Sequence, residues 1–504
     1  MMNLRLFKIL VIIAVIFSFS NLAQASAGKQ YQGGYLITDY GAVGDGKTLN
    51  TSVINKVIET CAKAGGGKVI IPPGRFLSGP IFLKSNINVE IQAGATLIAN
   101  NDIKNCPTVY GRWEGIDRKI YASIFTGHDL ENVSITGRGT IDGQGKVWWD
   151  AYWKTAQIRR EMGIAGREPN NPDSAPLEWP RPRTINLYRC KNVLVRDITI
   201  LNSPSWTVHP VYCEDVTVDN VRIFQPADSP NTDGVNPDSC KNVRIANCHI
   251  DVGDDCITIK SGYNEDGRRV GIPCENVVIT NCTMIHGHGG VVIGSEMSGD
   301  VRNVTISNCV FDGTMRGLRI KTSRDRGGIV EDIRADNIVM RDITGYAFSI
   351  TMYYEKEEIG DFKVTEKTPR FKNLYFSNIS VVSGQNVAEI LGLPEMPIEN
   401  IQLRNIEVHS SQAGIKSRHT KGAIFDEMVV NTVEGPALDV YNASDMRINQ
   451  FTTKKPHANT PVILLEKTNG VSIKDSGDKS FLELKGNENK DVKIYQTEYK
   501  SLTD

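Results

Sequence analysis

A three-residue phrase recurs along most of this chain: a charged residue, then Asn or Asp, then an aliphatic residue. Its clearest copies begin at Glu131, Lys191, Glu214, Lys241, Glu275, Arg302, Glu331, Lys372 and Glu399. From Asn192 to Asn303, the Asn or Asp positions are separated by 23, 27, 34 and 27 residues. A repeat of roughly 20 to 50 residues is typical of solenoids, in which each unit packs only on its neighbours. We therefore expect an elongated repeat fold.

Each copy of the phrase opens a short run of alternating residues. Val243-Arg244-Ile245 and Val304-Thr305-Ile306 are examples, and such alternation is typical of a β-strand. No helical pattern lies between the copies, and the hairpin turns and blade motifs of a β-sandwich or propeller are missing. The sequence therefore predicts an all-β fold, a parallel β-helix with one coil per repeat.

The extreme N-terminus has the pattern of a signal peptide over residues 1–25. Arg5 and Lys8 precede an apolar run over 9–19, and Ala23-Gln24-Ala25 fits a cleavage site. A membrane anchor is the alternative, but the run is shorter than the roughly 20 residues of a span. We expect a protein that is secreted or periplasmic, with no membrane association after cleavage.

The next segment predicts the start of the solenoid. Apolar residues at helical spacing predict a short helix over 51–63, which would cap the apolar end of the coils. We expect this cap and the first coils over 30–100. The main β-helix domain follows over 101–480, with an inserted loop near 142–185, and residues after about 455 carry little pattern.

Charge and cysteine content narrow the functional classes. The chain has 57 Lys and Arg against 58 Asp and Glu, so it lacks the basic surface of a nucleic-acid-binding protein. Ten cysteines could form disulfides in an exported chain, but Cys248, Cys282 and Cys309 share one place in the repeat, which predicts a buried stack. No Cys/His cluster has zinc-ligand spacing. We expect a monomer without a metal or cofactor.

Alignment of neighbouring coils brings three carboxylates together. The run that begins at Asp254 aligns with the run that begins at His288, and Asp233 aligns with Asp255. Residues at one offset stack about 4.8 Å apart in successive coils, so these side chains should form a cluster. Like charges raise the pKa of at least one member, which suits a general acid. Clustered carboxylates could instead bind Ca²⁺.

Cations are predicted beside this cluster. Arg319 and Lys321 are two residues apart on one strand and point the same way, so they could pair with the aspartates or bind a substrate carboxylate. Lys260 aligns with Lys321, and Asp238 on its other side could neutralise it.

Four short motifs in this order resemble the signatures of the polygalacturonases, glycoside hydrolase family 28. They are Asn231-Thr232-Asp233, Asp254-Asp255, Gly287-His288-Gly289 and Arg319-Ile320-Lys321. The resemblance covers roughly residues 35–450. It implies a right-handed parallel β-helix and an inverting hydrolase of the α-1,4-galacturonosyl linkages in pectin.

The resemblance also implies roles for the matching residues. Asp254 is then the general acid, Asp233 and Asp255 activate water, and His288 supports the proton state of the acid. Arg319 and Lys321 bind galacturonate, and Tyr354 corresponds to a substrate-contacting tyrosine, although the residues around it diverge. Asn231, from the first motif, and Lys260, from the coil alignment, are further candidates for substrate contact. Inverting carboxyl pairs usually lie roughly 6.5–9.5 Å apart, which is the spacing we expect here.

Other functions on this fold remain open. A Ca²⁺-dependent pectate lyase, a rhamnogalacturonan-directed hydrolase and a non-catalytic polysaccharide-binding β-helix are the alternatives. The insert near 142–185 further predicts action at chain ends, because an aromatic and Arg-rich loop could close one end of a groove. Its candidates are Trp148, Trp149, Trp153, Trp179, Arg159, Arg160, Arg167, Arg181 and Arg183.

Overall fold

The computed structural model describes residues 33–163, 177–354, 360, 362–454, 456–457, 460–476 and 481–495. These residues form a right-handed parallel β-helix, which confirms the predicted fold. The predicted signal segment, 1–25, and Arg167 lie outside the described residues. Among the described helices, none is long and apolar enough to cross a membrane.

Three parallel faces run along the solenoid, and most coils contribute a strand to each. The separate strands of the first face are Tyr35–Leu36, Gly67–Ile71, Ile87–Ile91, Glu131–Thr136, Lys191–Arg196, Glu214–Asp219, Lys241–Ala246, Cys274–Thr280 and Lys490–Tyr495. Those of the second are Asp45–Leu49, Gly74–Ser78, Ala95–Ala99, Thr140–Asp142, Thr199–Leu201, Arg222–Phe224, His249–Val252 and Thr283–His286.

Most of the predicted site residues lie on or beside the third face. Its strands are Ile81–Phe82, Phe125–His128, Ile185–Tyr188, Val208–Val211, Ile257–Ile259, Val291–Ile293, Arg316–Lys321, Ile343–Thr351, Gly384–Leu391, Leu438–Ser444 and Leu482–Lys485. Longer strands bend from one face into another: Val301–Asp312, Ile329–Arg341, Arg370–Val381, Ile398–Lys421, Ile424–Thr432, Arg447–Thr452 and Ile463–Lys474. Coils therefore continue beyond residue 455, where the sequence predicted little pattern.

The recurring Asn or Asp of the sequence phrase lies at a corner of each coil. Asn192, Asn242 and Asn276 all have φ between 52° and 58°, a left-handed conformation that Asn tolerates better than most residues. The Asn276 amide donates to Asn242 at 3.0 Å, and the Asn192 amide donates to Asn132 at 2.8 Å. The phrase therefore marks a ladder of corner residues that bond coil to coil.

Aliphatic residues on both sides of each corner point inward and form one continuous core. Cys248, Cys282 and Cys309 are buried in it at successive coils, as predicted. All ten cysteines lie within the described residues, and every one is unpaired.

Three helices accompany the coils among the residues that the structure describes. The first, Thr51–Lys63, has the predicted bounds, and its buried residues belong to the continuous core; its role as a cap stays a prediction. The second, Lys146–Glu161, lies in the predicted insert, and the third is Asn264–Val270. The sequence predicted no helix between the repeats, so these two correct that prediction. Short 3₁₀ turns occur at Ile37–Tyr40 and Ile103–Asn105.

One antiparallel hairpin departs from the coil pattern. Its strands, Thr108–Trp113 and Ile116–Tyr121, pair with each other and not with the solenoid. The buried Arg112 guanidinium pairs with Asp238 on the third face at 2.9 Å. This ion pair fixes the hairpin against the coils.

Candidate active site

Backbone pairing on the third face stacks two of the predicted aspartates. Val235 pairs with Ile257, and Ile257 pairs with Val291 in the following coil. Asp233 and Asp255 each lie two residues before their paired neighbour, so they occupy one column. The register of the sequence alignment is therefore confirmed.

The three carboxylates form a tight cluster. One oxygen from each of Asp233, Asp254 and Asp255 lies within 4.8 Å of the other two. Asp233 and Asp255 are buried, whereas Asp254 is partly exposed. The cluster itself was predicted. Its oxygens are closer than the roughly 6.5–9.5 Å expected between inverting carboxyl groups, so the predicted spacing is wrong for the nearest atoms.

Asp255 is held as a carboxylate by two cations. Nζ of Lys321 lies 2.9 Å from its Oδ2, and Nη1 of Arg319 lies 3.5 Å from its Oδ1. Burial by itself would raise the pKa of Asp255, but the charges of Lys321 and Arg319 outweigh burial and lower the pKa to about 2. This group therefore stays ionised at any ordinary pH.

Asp233 is the member that keeps a proton. Burial, followed by repulsion from Asp254, raises the pKa of Asp233 to about 8. Its Oδ2 accepts hydrogen bonds from Asn236 at 2.7 Å and from Thr258 at 3.2 Å. The cluster thus contains one protonated carboxyl beside one firmly ionised carboxylate.

His288 lies beside Asp254, as predicted. Its Nδ1 is 3.1 Å from Oδ1 of Asp254, and its backbone N–H donates to the carbonyl oxygen of Asp254. The hydrogen bond to Asp254 raises the pKa of His288, which favours the imidazolium form. A Cβ on Gly287 would lie 2.5 Å from the same carbonyl oxygen, so the glycine permits this close contact between coils.

Lys260 has a different partner from the one predicted. Its Nζ lies 3.1 Å from Oε2 of Glu296, and both side chains are buried. Asp238 pairs in register with Lys260, but its closest cation is Arg112 of the hairpin. Burial would lower the pKa of Lys260, but the charges of Glu296, Asp233 and Asp255 together outweigh burial and raise it. Lys260 therefore stays protonated at the wall of the site, and the Glu296 carboxylate balances its charge.

A cavity of about 190 Å³ opens over the cluster. Seven of the nine predicted site residues line it: Asn231, Asp233, Asp254, Asp255, Lys260, Lys321 and Tyr354. Arg319 lines an adjoining cavity that shares Tyr354, whereas His288 lines neither cavity and hydrogen-bonds to Asp254. The Tyr354 ring centroid lies 5.5 Å from Arg319 and 5.1 Å from Lys321.

Six further lining residues were not predicted from the sequence: Glu114, Trp206, Tyr263, Ser295, Glu296 and Arg326. Trp206 lies one coil before Asp233 in the same column, because Val208 pairs with Val235. Extending the alignment back by one coil would have found it. Glu114, at the tip of the hairpin, carries no such signal because the hairpin lies outside the repeat.

Described residues of the insert lie around the site and not in it. Trp148 packs against Tyr121 of the hairpin, and the Trp149 indole donates to a backbone carbonyl at 3.0 Å. Trp153 is half exposed on its helix. Arg181 donates to Oδ1 of Asn231 at 2.7 Å, so it holds a lining residue in place.

The cations of this cluster argue against a Ca²⁺ site. Calcium requires several oxygen ligands that are free to coordinate it. Lys321 and Arg319 already neutralise Asp255, and Asp233 carries a proton. This donor set suits proton transfer better than metal binding.

Comparison with known proteins gives consistent matches. The sequence profile described as glycosyl hydrolases family 28 matches residues 61–424. A probable polygalacturonase from Vitis vinifera is 33% identical over 383 residues, which cover 74% of this chain and 74% of that protein. An endo-polygalacturonase from Pectobacterium carotovorum subsp. carotovorum is 30% identical over 376 residues, covering 70% and 84%. The structure of an exopolygalacturonase from Thermotoga maritima superposes with a TM-score of 0.67 at 32% identity, covering 79% and 93%.

Proposed function

The chain belongs to glycosyl hydrolase family 28, and on this basis we propose that it hydrolyses the α-1,4-galacturonosyl linkages of pectin. The observation that carries the proposal is the juxtaposition of three carboxylates with two cations in one cavity. Asp233, Asp254 and Asp255 supply the acid and base chemistry, and Arg319 and Lys321 supply charge for an anionic sugar.

Asp254 is the proton donor to the glycosidic oxygen. It is the most accessible carboxyl of the cluster, and His288 hydrogen-bonds to it. The cluster holds one proton on Asp233, and transfer of this proton to Asp254 through a water molecule would arm the acid. The transfer leaves Asp233 and Asp255 ionised together, ready to accept a proton.

The attacking water gives its proton to this carboxylate pair. Asp255 lines the cavity and stays ionised, so its carboxylate can accept a proton from a water held there. Water oxygen bonds to the anomeric carbon as the glycosidic bond breaks, and the leaving oxygen takes the proton of Asp254. The proton count of the cluster is thereby restored after each turnover.

Inversion of the anomeric centre follows if none of the carboxylates attacks the sugar. A separation under 4.8 Å would by itself suit a retaining pair, which needs roughly 5 Å. Asp255 is clamped by two cations and Asp233 is buried under two hydrogen bonds, so neither is free to form a covalent bond. This immobilisation supports a water nucleophile.

Cation placement supports galacturonate as the sugar. Arg319 lines the adjoining open cavity, so its guanidinium can donate to a substrate carboxylate. Lys321 lines the cavity beside it. Asn231, Lys260 and Tyr354 complete the set of substrate contacts.

Action at chain ends is supported by the hairpin. Trp113 stacks on Trp206 with centroids 5.0 Å apart, and Glu114 reaches the cavity wall. A Cβ on Gly115 would lie 2.6 Å from the backbone nitrogen of Tyr263, so the tip is in close contact with the coils. The hairpin would close one side of the cavity and leave the Arg319 side open.

Product analysis on polygalacturonate tests the proposal. We expect new reducing ends without an unsaturated product that absorbs in the ultraviolet, and an unchanged rate in the presence of a chelator. Ultraviolet-absorbing products whose formation requires Ca²⁺ would favour a lyase, and release of no reducing ends from any pectin would favour a binding protein.

The site of action is proposed to be outside the cytoplasm, in the medium or periplasm. The signal-like pattern of residues 1–25 supports this. Fractionation of producing cells that finds the protein only in the cytoplasm would contradict it. We also propose that the enzyme acts as a monomer, which sedimentation can test.

A further inference from the structure

A second pair of cations, Lys416 and Arg418, occupies the same two strand positions as Arg319 and Lys321, three coils further along the third face. Arg319 pairs in register with Ser349, Ser349 with Glu389, and Glu389 with Lys416. Three coil steps of roughly 4.8 Å place Lys416 about 14 Å from Arg319.

The second offset repeats in the same way. Lys321 pairs with Thr351, Thr351 with Leu391, and Leu391 with Arg418. The motif of two cations separated by one buried residue therefore occurs twice in one column, three coils apart. Such a repeat places two positive sites along the direction in which an extended polymer would lie.

Each cation pair also has a tyrosine. The Tyr354 ring lies 5.1 Å from Lys321, and the Tyr441 ring lies 6.0 Å from Arg418. Tyr441 is the register partner of Arg418 in the next coil. The second set thus reproduces the composition of the first, with a flat ring beside paired cations.

One open cavity of about 770 Å³ connects the two sets. Arg319 and Tyr354 line it at one end, and Lys416, Arg418 and Tyr441 line it at the other. It adjoins the cavity over the aspartates at Tyr354, which lines both. The groove therefore extends from the side of the aspartate cluster towards the distal cations.

Charges within the groove decide which cation is available. Arg418 is paired with Asp439 at 2.5 Å and also donates to the carbonyl oxygens of Ser417 and Asp439. Glu389, the acidic group between the two sets, accepts a hydrogen bond from Ser349 at 2.6 Å. Lys416 is exposed and has no salt-bridge partner among the described residues. Lys416 is thus the free positive charge of the distal set.

We propose that Lys416, flanked by Arg418 and Tyr441, binds the carboxylate of a galacturonate unit several sugars away from the scissile bond. This inference rests on the proposed function, because it assigns a further binding site for the same polymer. The distance exceeds the length of a disaccharide, so only longer chains can occupy both sets. The enzyme therefore prefers longer oligogalacturonates over digalacturonate.

The test compares kcat/KM across a series of oligogalacturonates for Lys416→Gln, Lys416→Glu and Lys416→Arg. An exposed charge pair contributes about 2- to 5-fold, so Lys416→Gln should lose that factor on long oligomers and nothing on digalacturonate. Lys416→Glu should lose more, and Lys416→Arg should behave as the wild type. Added salt should reduce the difference between wild type and Lys416→Gln.

Lys421→Gln is the matched control, because Lys421 is exposed on the same strand but does not line the groove. It should leave all substrates unaffected. Equal losses of Lys416→Gln on short and long substrates, or no loss on either, would overturn the distal site while leaving the proposed hydrolysis intact. A wild-type enzyme that cleaves no galacturonan would overturn both.

Discussion

Nζ of Lys321 and Oδ2 of Asp255 are 2.9 Å apart, and both side chains are almost completely buried. This ion pair, strengthened by Arg319, lowers the pKa of Asp255 to about 2 after the opposing effect of burial. The cations that are predicted to bind substrate therefore also hold a catalytic carboxylate in its charged form.

Lys321→Gln removes both roles of this lysine, and two separate measurements distinguish them. The pKa of Asp255 should rise towards its ordinary value, because one of its two cations is lost, and the acid limb of the pH profile of kcat/KM should move to higher pH. The value of kcat/KM should also fall more for galacturonan than for a neutral, esterified analogue, since a charged hydrogen bond contributes about 1.5–3 kcal/mol. An unmoved acid limb would contradict the role of Lys321 in holding Asp255.

Asp254→Asn should abolish turnover in a folded protein. The amide keeps the size of the side chain but cannot donate the acid proton, so we expect a loss of roughly 10²- to 10⁴-fold or more in kcat. Circular dichroism and the melting temperature should match the wild type. Asp150→Asn, at an exposed ion pair on the insert helix, is the control for a generic loss of one carboxylate. Near-normal turnover of folded Asp254→Asn would remove this residue from the acid role.

Asp233→Asn should stabilise the protein at alkaline pH. The folded protein retains a proton on Asp233 up to about pH 8, whereas the unfolded chain loses it near 3.8. Between these values the folded state binds more protons, so the free energy of unfolding falls as pH rises. The neutral amide removes this slope. The melting temperature of the variant should exceed that of the wild type at pH 8, and the gap should close towards pH 3.

A difference in melting temperature between Asp233→Asn and the wild type that is constant with pH would contradict the raised pKa of Asp233. The same ionisation should limit activity, since the proton that arms Asp254 is lost above about pH 8. Wild-type kcat should therefore decline on the alkaline side as Asp233 ionises. Thermal melts and kinetics measured in the same buffers check both statements.

Proton NMR of the first product measures the stereochemical outcome. We expect the inverted anomer, because two of the carboxylates are immobilised and Asp254 serves as the acid. The short separation of the aspartates makes this a demanding test, since the retained anomer would instead identify one of them as a nucleophile.

Early products distinguish action at chain ends from internal cleavage. A cavity closed by the hairpin should release mono- or digalacturonate from the start, with a slow fall in viscosity. Shortening the hairpin between Thr108 and Tyr121 should shift the products towards longer oligomers. A rapid viscosity drop with mid-length products from the wild type would show that the hairpin does not close the groove.

The sequence was most informative where the repeat set the geometry. The alignment of Asp233 with Asp255 needed only the coil register, because side chains at one offset must stack. The predicted bounds of the helix Thr51–Lys63 were also confirmed, since its apolar spacing is local.

Contacts that depend on distant segments could not be predicted in this way. The pairing of Lys260 with Glu296 depends on how the chain turns after the strand that ends at Ile293, and the alignment had predicted Asp238 as the partner. Glu114 reaches the cavity from a hairpin that Arg112 ties to Asp238, a contact across 126 residues. No periodicity encodes such a contact.

Because the site residues stack in register, the site depends on the exact length of the coil segments that carry them. Loops that leave the solenoid can grow or shrink without disturbing it, as the insert between the coils of Asn132 and Asn192 illustrates. A single residue added within the strand Ile257–Ile259, or between it and Asp255, would instead turn side chains from the groove into the core. Tolerance to insertions should therefore change abruptly along each coil, and deep mutational scanning of insertions would outline the active site without any assay of substrate binding.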